Sequence, residues 1–127
     1  MGYDSNSPTI LYWFSPTCAW CEKNAKNFEA LAEQAGVRYR FVPVSVAPPA
    51  DLAAYAKRRG ITVPLYSIDR QTAKSYGFFG TPTTMRLSPT GKVLNVWSGA
   101  YDTVRVKQLE QAAGVHLAGP IEVSKRR

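Results

Sequence analysis

Cys18 and Cys21 are the only cysteines in the chain, and they follow an apolar run, Thr9-Ile10-Leu11-Tyr12-Trp13-Phe14, that stops at Pro16. A continuous run rich in β-branched and aromatic residues predicts a strand covered on both faces. The pattern after it predicts a helix. The strand therefore hands two thiols to a helix start, where the first N–H groups lack backbone partners and the helix dipole is positive. Both effects stabilise a thiolate over a thiol, so Cys18 is the expected nucleophile. Cys21 lies one turn deeper, where desolvation should hold its proton until a mixed disulfide has to be resolved.

Three other uses of two cysteines compete with redox chemistry. A structural disulfide gains with the length of the loop it closes, and this loop is very short. A zinc site needs four ligands, and beyond the cysteines the chain offers His116 without a second Cys-x-x-Cys or a His-x-x-x-His. Two inert core cysteines would be oddly placed in a Pro-x-Cys-x-x-Cys turn. No metal or organic cofactor is expected.

At 127 residues and 45% hydrophobic content, the chain suits a single domain over 1–127 with loose ends at 1–8 and 119–127. No apolar run is long enough to span a bilayer, and the polar opening Met1–Pro8 is unlike a signal peptide, so the chain itself is expected to be soluble. An N-terminal membrane anchor outside this chain stays open. The formal charge of +7 would suit a polyanion, but the basic residues are dispersed: Arg38 and Arg40 on a strand, Lys57-Arg58-Arg59 at a helix end and Lys125-Arg126-Arg127 at the C-terminus. No nucleic-acid motif accompanies them, and no nucleic-acid partner is expected.

Periodicity supplies the remaining elements. Ala25, Phe28, Leu31, Ala32 and Ala35 recur at helical spacing up to Gly36, so one helix is expected to run on from the cysteines. A strand over 38–46 follows, and a strand, helix, strand order of this length favours a parallel right-handed crossover. Pro48-Pro49 presets a helix over 51–59 that Gly60 ends, and the proline-interrupted 61–67 reads as an edge. Asp69 caps a short turn closed by Gly77. Residues 83–87 and 93–98 flank Ser88-Pro89-Thr90-Gly91 as an antiparallel hairpin. Asp102 starts a last helix with Val104, Val106, Leu109 and Ala113 facing inward before Gly114, and the rest reads as a loose tail.

This order, with Gly80-Thr81-Pro82 leading into the hairpin, resembles the thioredoxin superfamily over nearly the whole chain. The helix at 51–59 and the segments 76–84 and 88–92 look like the extracytoplasmic TlpA/ResA-like thiol-disulfide oxidoreductases. The resemblance implies an α/β, thioredoxin-like fold: a central mixed β-sheet flanked by helices, with an extra helix before the cis-proline segment. It implies a cis bond between Thr81 and Pro82, opposite the cysteines, leaving the Thr81 backbone free to pair with an extended substrate; without it, Pro82 reads as an ordinary trans turn proline, since cis accounts for only about 5–6% of such bonds. Gly99 then lies in a loop beside the substrate groove, or merely ends a strand. Trp20 is an exposed contact for the partner, or an aromatic packed on the surface, and Phe79 carries the same two readings.

One departure is plain. Where thioredoxins carry a buried acid on the strand before the cysteines, this chain has Tyr12, whose phenol cannot accept a proton at neutral pH. Water or another carboxylate, Glu22 or Asp69, would have to serve. Ala19-Trp20 also lacks both the proline of reducing thioredoxins and the histidine of strongly oxidising members.

The resulting expectation is an extracytoplasmic, bacterial periplasmic reductant of protein disulfides that is monomeric and recharged by a membrane-linked electron donor. Three alternatives are a redox-inert binding module, a disulfide isomerase or oxidase of the same fold, and a peroxidase. The last wants an Arg and a Thr around one cysteine, whereas Pro16, Thr17, Ala19 and Trp20 are the neighbours here.

Overall fold

A computed structural model describes residues 7–36, 38–78 and 80–121. The first apolar run forms β1 (Thr9–Trp13), whose alternate residues feed opposite faces of the sheet. Ile10 and Tyr12 enter one cluster with Phe14, and Leu11 and Trp13 enter another. The chain then forms α1 (Ala19–Lys23), α2 (Ala25–Glu33) and β2 (Arg40–Ser45), with β2 parallel to β1 in register Ile10 to Phe41. Next come α3 (Pro49–Arg59), the two-residue β3 (Tyr66–Ser67), α4 (Arg70–Ser75), β4 (Thr83–Leu87), β5 (Val93–Ser98) and α5 (Thr103–Ala113).

The mixed sheet has the order β3-β2-β1-β4-β5. β4 runs antiparallel to both β1 and β5, with Tyr12 beside Thr84 and Trp13 beside Thr83. The larger core contains Cys21 from α1, Phe28 and Leu31 from α2, Leu52 and Tyr55 from α3, and Val106 and Leu109 from α5. Its centre is aromatic: Tyr12 stacks on Phe28 with centroids 4.8 Å apart, and Phe14 meets Phe28 at 5.1 Å and Tyr55 at 5.4 Å. Such contacts add to area burial. The opposite face is covered by Ala73 of α4 and by Phe78, which stacks on Trp13 at 4.8 Å.

The expected caps and turns are present. Pro48 and Pro49 open α3 and Gly60 ends it at φ 69°, while Asp69 and Asp102 accept hydrogen bonds from the Thr72 and Arg105 amides at the starts of α4 and α5. The hairpin turns through Gly91 at φ 96°.

Three expectations need correction. The first helix is not continuous, because Asn24 leaves helical geometry (φ −91°, ψ 4°) and separates α1 from α2. Val104 is 59% exposed, since Val106, Leu109 and Ala113 define the buried stripe of α5 and a residue two positions before Val106 falls on the far side. The segment after Gly114 is not loose over its described part. Val115 and Leu117 are buried in the larger core, and the Asn27 Oδ1 atom accepts from the Ala118 and Gly119 amides at 2.9 and 3.2 Å. Phe79 lies outside the described residues, as do 1–6 and 122–127 at the expected loose ends.

Candidate active site

The turn after β1 is set by backbone chemistry. The Cys18 amide donates to the Ser15 carbonyl at 3.2 Å, and Cys18, with extended backbone at φ −83° and ψ 126°, is the N-cap of α1. Its sulfur takes the place of a capping oxygen and accepts the Cys21 N–H at 3.1 Å. From the other side, the Cys18 thiol reaches the Thr81 carbonyl at 3.5 Å. Burial pushes the Cys18 pKa up, but hydrogen bonds from Cys21, the Thr81 side chain and the Trp20 and Cys21 amides outweigh it and hold the thiol below its ordinary value. Cys21 is 3% exposed and is pushed up to about 12, first by burial and then by the shared proton and charge of Cys18. Both cysteines are free, and the deeper sulfur holds its proton more tightly than the outer one.

Around this pair the structure brings together most of the residues singled out from the sequence. Thr81-Pro82 is a cis peptide bond directly before β4. The Gly99 amide donates to the Pro82 carbonyl at 2.8 Å, with Gly99 at φ 92°, which seats the loop after β5 against this segment. Trp20 is 50% exposed, and the Lys23 ammonium lies 5.9 Å from its ring centroid. The indole thus forms part of the rim.

Neither carboxylate considered as a proton acceptor is hydrogen-bonded to Cys21. Glu22 pairs with Arg59 at 2.9 Å, and Arg59 reaches Glu29 of α2 at the same distance. Asp69 caps α4. Tyr12 is fully buried, and burial first, then the charge of Tyr101, holds its phenol far above the ordinary range despite a hydrogen bond from Asn24. The position is therefore neutral at any working pH.

Sequence reasoning missed the polar layer under the dithiol. Asn24 and Asn27 are both buried, and Asn24 Nδ2 donates to the Tyr12 hydroxyl at 3.0 Å. The Asn24 Oδ1 atom accepts from Asn27 Nδ2 at 3.2 Å and from the Tyr101 amide at 3.0 Å. A signal was present: Asn24 and Asn27 extend the Phe28 and Leu31 stripe backwards at helical spacing, so both amides had to point inward. Buried amides are retained when their bonds are satisfied.

A half-exposed low-pKa thiol beside a buried high-pKa thiol is an arrangement suited to disulfide exchange. No curated protein matches the chain. Among solved structures it is similar to StoA from Bacillus subtilis, at 18% identity over 83% of each chain with a TM-score of 0.68. It is also similar to a thiol:disulfide interchange protein of the thioredoxin family from Chlorobium tepidum, at 18% identity over 84% of this chain and 79% of that one, with a TM-score of 0.68. A third is the pneumococcal exposed lipoprotein thioredoxin from Streptococcus pneumoniae, at 18% identity over 85% and 86% with a TM-score of 0.67. These likenesses show the fold. The model of the thioredoxin-like domain matches residues 4–113, which takes in the dithiol, the Thr81-Pro82 segment and all five strands, and the chain belongs to that family.

Proposed function

We propose that the protein is a TlpA/ResA-like thiol-disulfide oxidoreductase that reduces disulfides in protein substrates. The observation that carries this reading is the division of the thiol pair, with Cys18 lowered at the N-cap of α1 and Cys21 held at about 12 beneath it. The Cys18 thiolate attacks one sulfur of the target disulfide, forming a Cys18-target bond and releasing the other target sulfur as a thiolate. This neutralises Cys18 and removes two of the causes that raise the Cys21 pKa. Cys21 then loses its proton, attacks the Cys18 sulfur and releases the second target thiol. Two electrons have passed to the target, and Cys18–Cys21 is oxidised.

Thr81, Pro82 and Gly99 form the groove wall against which an extended substrate pairs, and Trp20 contacts its apolar side chains. With no carboxylate bonded to Cys21 among the described residues, water accepts the resolving proton. Regeneration requires a donor protein, which we place at the membrane. An extracytoplasmic, periplasmic location is supported by the likeness to the exposed lipoprotein thioredoxin and by the extra helix α3 between β2 and β3. The chain acts as a monomer.

Turnover of insulin disulfides with dithiothreitol tests the activity, since a binding module of the same fold would not accelerate it. The direction is tested by equilibration with glutathione buffers. We expect a potential nearer the reducing thioredoxins, at about −270 mV, than the strongest oxidants, at about −120 mV. A value above about −180 mV would instead make the protein an isomerase or oxidase.

A further inference from the structure

Two sets of hydrogen bonds tie the dithiol helix to the groove wall, one in front of the cysteines and one behind them. In front, Cys18 Sγ meets the Thr81 carbonyl at 3.5 Å. Behind, the Asn24 side chain holds Tyr101, which ends the loop that starts at Gly99. The Gly99 amide is bonded to the Pro82 carbonyl at 2.8 Å, and the Asn24 amide is bonded to the Trp20 and Cys21 carbonyls at 3.1 Å. The path closes on itself: Cys18, Thr81, Pro82, Gly99, Tyr101, Asn24, Cys21 and, through the Cys21 N–H, Cys18 again.

The Asn24 side chain is 0% exposed and can sit in only one orientation. Its carbonyl oxygen must face the Tyr101 N–H, which can only donate, so its NH₂ must face the Tyr12 hydroxyl. A residue chosen only to fill space would not need this directionality. The helix breaks at the same residue, where Asn24 leaves α-helical geometry and its side chain bonds Tyr101.

Resting on the oxidoreductase reading, we propose that Asn24 is a positioning residue that holds the dithiol helix in register with the Thr81-Pro82-Gly99 wall, so that a docked protein disulfide is presented to Cys18. The amide acts through Tyr101 and the loop, and it touches neither substrate nor thiol. Loss of this bond costs little for a small disulfide, which needs only the thiolate. It costs much for a protein disulfide, which needs the thiolate and the wall together.

Asn24→Leu keeps the branching at Cγ, with somewhat larger bulk, and removes every side-chain bond, while Asn24→Asp keeps an acceptor for the Tyr101 amide and a partner for the Tyr12 hydroxyl. The quantity to measure is kcat/KM for insulin divided by the rate constant for bis(2-hydroxyethyl) disulfide. Asn24→Leu is expected to lower this ratio about tenfold, the effect of losing a buried, directional hydrogen bond, and Asn24→Asp to hold it within about twofold. Equal losses on the two disulfides, or an Asn24→Asp ratio as low as that of Asn24→Leu, overturn the proposal. Should Asn24→Leu not fold, Asn24→Ser, too short to reach Tyr101, carries the same expectation. Hydrogen exchange separates this idea from the activity itself. In the variant the Gly99 amide should exchange about tenfold faster relative to the Leu11 amide of β1. An unchanged Gly99 to Leu11 ratio overturns the positioning role even where the wild type reduces insulin, and a wild type inert toward insulin overturns only the oxidoreductase reading.

Discussion

The rim and the floor of the dithiol lie within one helical turn and follow opposite rules. On the rim, Cys18 is half-buried at the margin of the larger core, and its sulfur accepts an N–H as a capping oxygen would. On the floor, Cys21, Tyr12, Asn24 and Phe28 are almost wholly buried, and each is fixed by ring contacts or hydrogen bonds. The thiol chemistry differs because the solvation differs: amides at a helix start favour the Cys18 anion, while burial and a neighbouring charge disfavour that of Cys21. Rim substitutions should therefore change reactivity with little change in stability, whereas floor substitutions should cost stability whether or not they also change reactivity.

The largest effect tests the two thiols against each other. Cys18→Ser should abolish disulfide reduction, and Cys21→Ser should accumulate mixed disulfides visible by non-reducing electrophoresis and mass spectrometry. Accumulation in Cys18→Ser instead would invert the assignment. Next is a floor variant, Phe28→Ala, which removes the ring between Tyr12, Phe14 and Tyr55. Chemical denaturation should show a loss of about 3–5 kcal/mol, as for other large-to-small aromatic truncations in a core. A loss below about 1 kcal/mol would mean the aromatic centre is not the main source of stability.

A smaller effect separates the thiols by pH. Because the Cys18 pKa is lowered, its thiolate and hence its alkylation rate should rise with pH and reach half-maximum below the ordinary thiol value. Cys21, at about 12, should label far more slowly at neutral pH. Equal labelling of the two cysteines by peptide mapping would erase the distinction between rim and floor. The smallest change is expected from Trp20→Ala, which exposes no core. Stability should stay within about 0.5 kcal/mol, as for other surface substitutions, while KM for a protein disulfide rises. A Tm drop of several degrees would show instead that Trp20 packs on the domain.

The features legible in the sequence are local. Two cysteines at i and i+3 beyond a strand, proline at the start of α3, glycine at its end, and aspartate caps on α4 and α5 each satisfy a backbone requirement within a few residues. The alternating burial of β1 is equally local, because successive side chains on a strand must point to opposite faces.

Tertiary structure decided whatever depends on a partner distant in the chain. Asn24 breaks the helix because Tyr12 and Tyr101, 12 and 77 residues away, offer its amide better bonds than solvent does. Residues 115–119 are held in place because Asn27, 91 residues before Ala118, captures their backbone and because Val115 and Leu117 find the core. Glu22 was a candidate proton acceptor until the fold brought Arg59 beside it, and Val104 fits the apolar pattern of α5 but is left outside when the helix docks. Periodicity reports which residues share a face; only the packed chain determines which face is covered and which buried polar group has a partner.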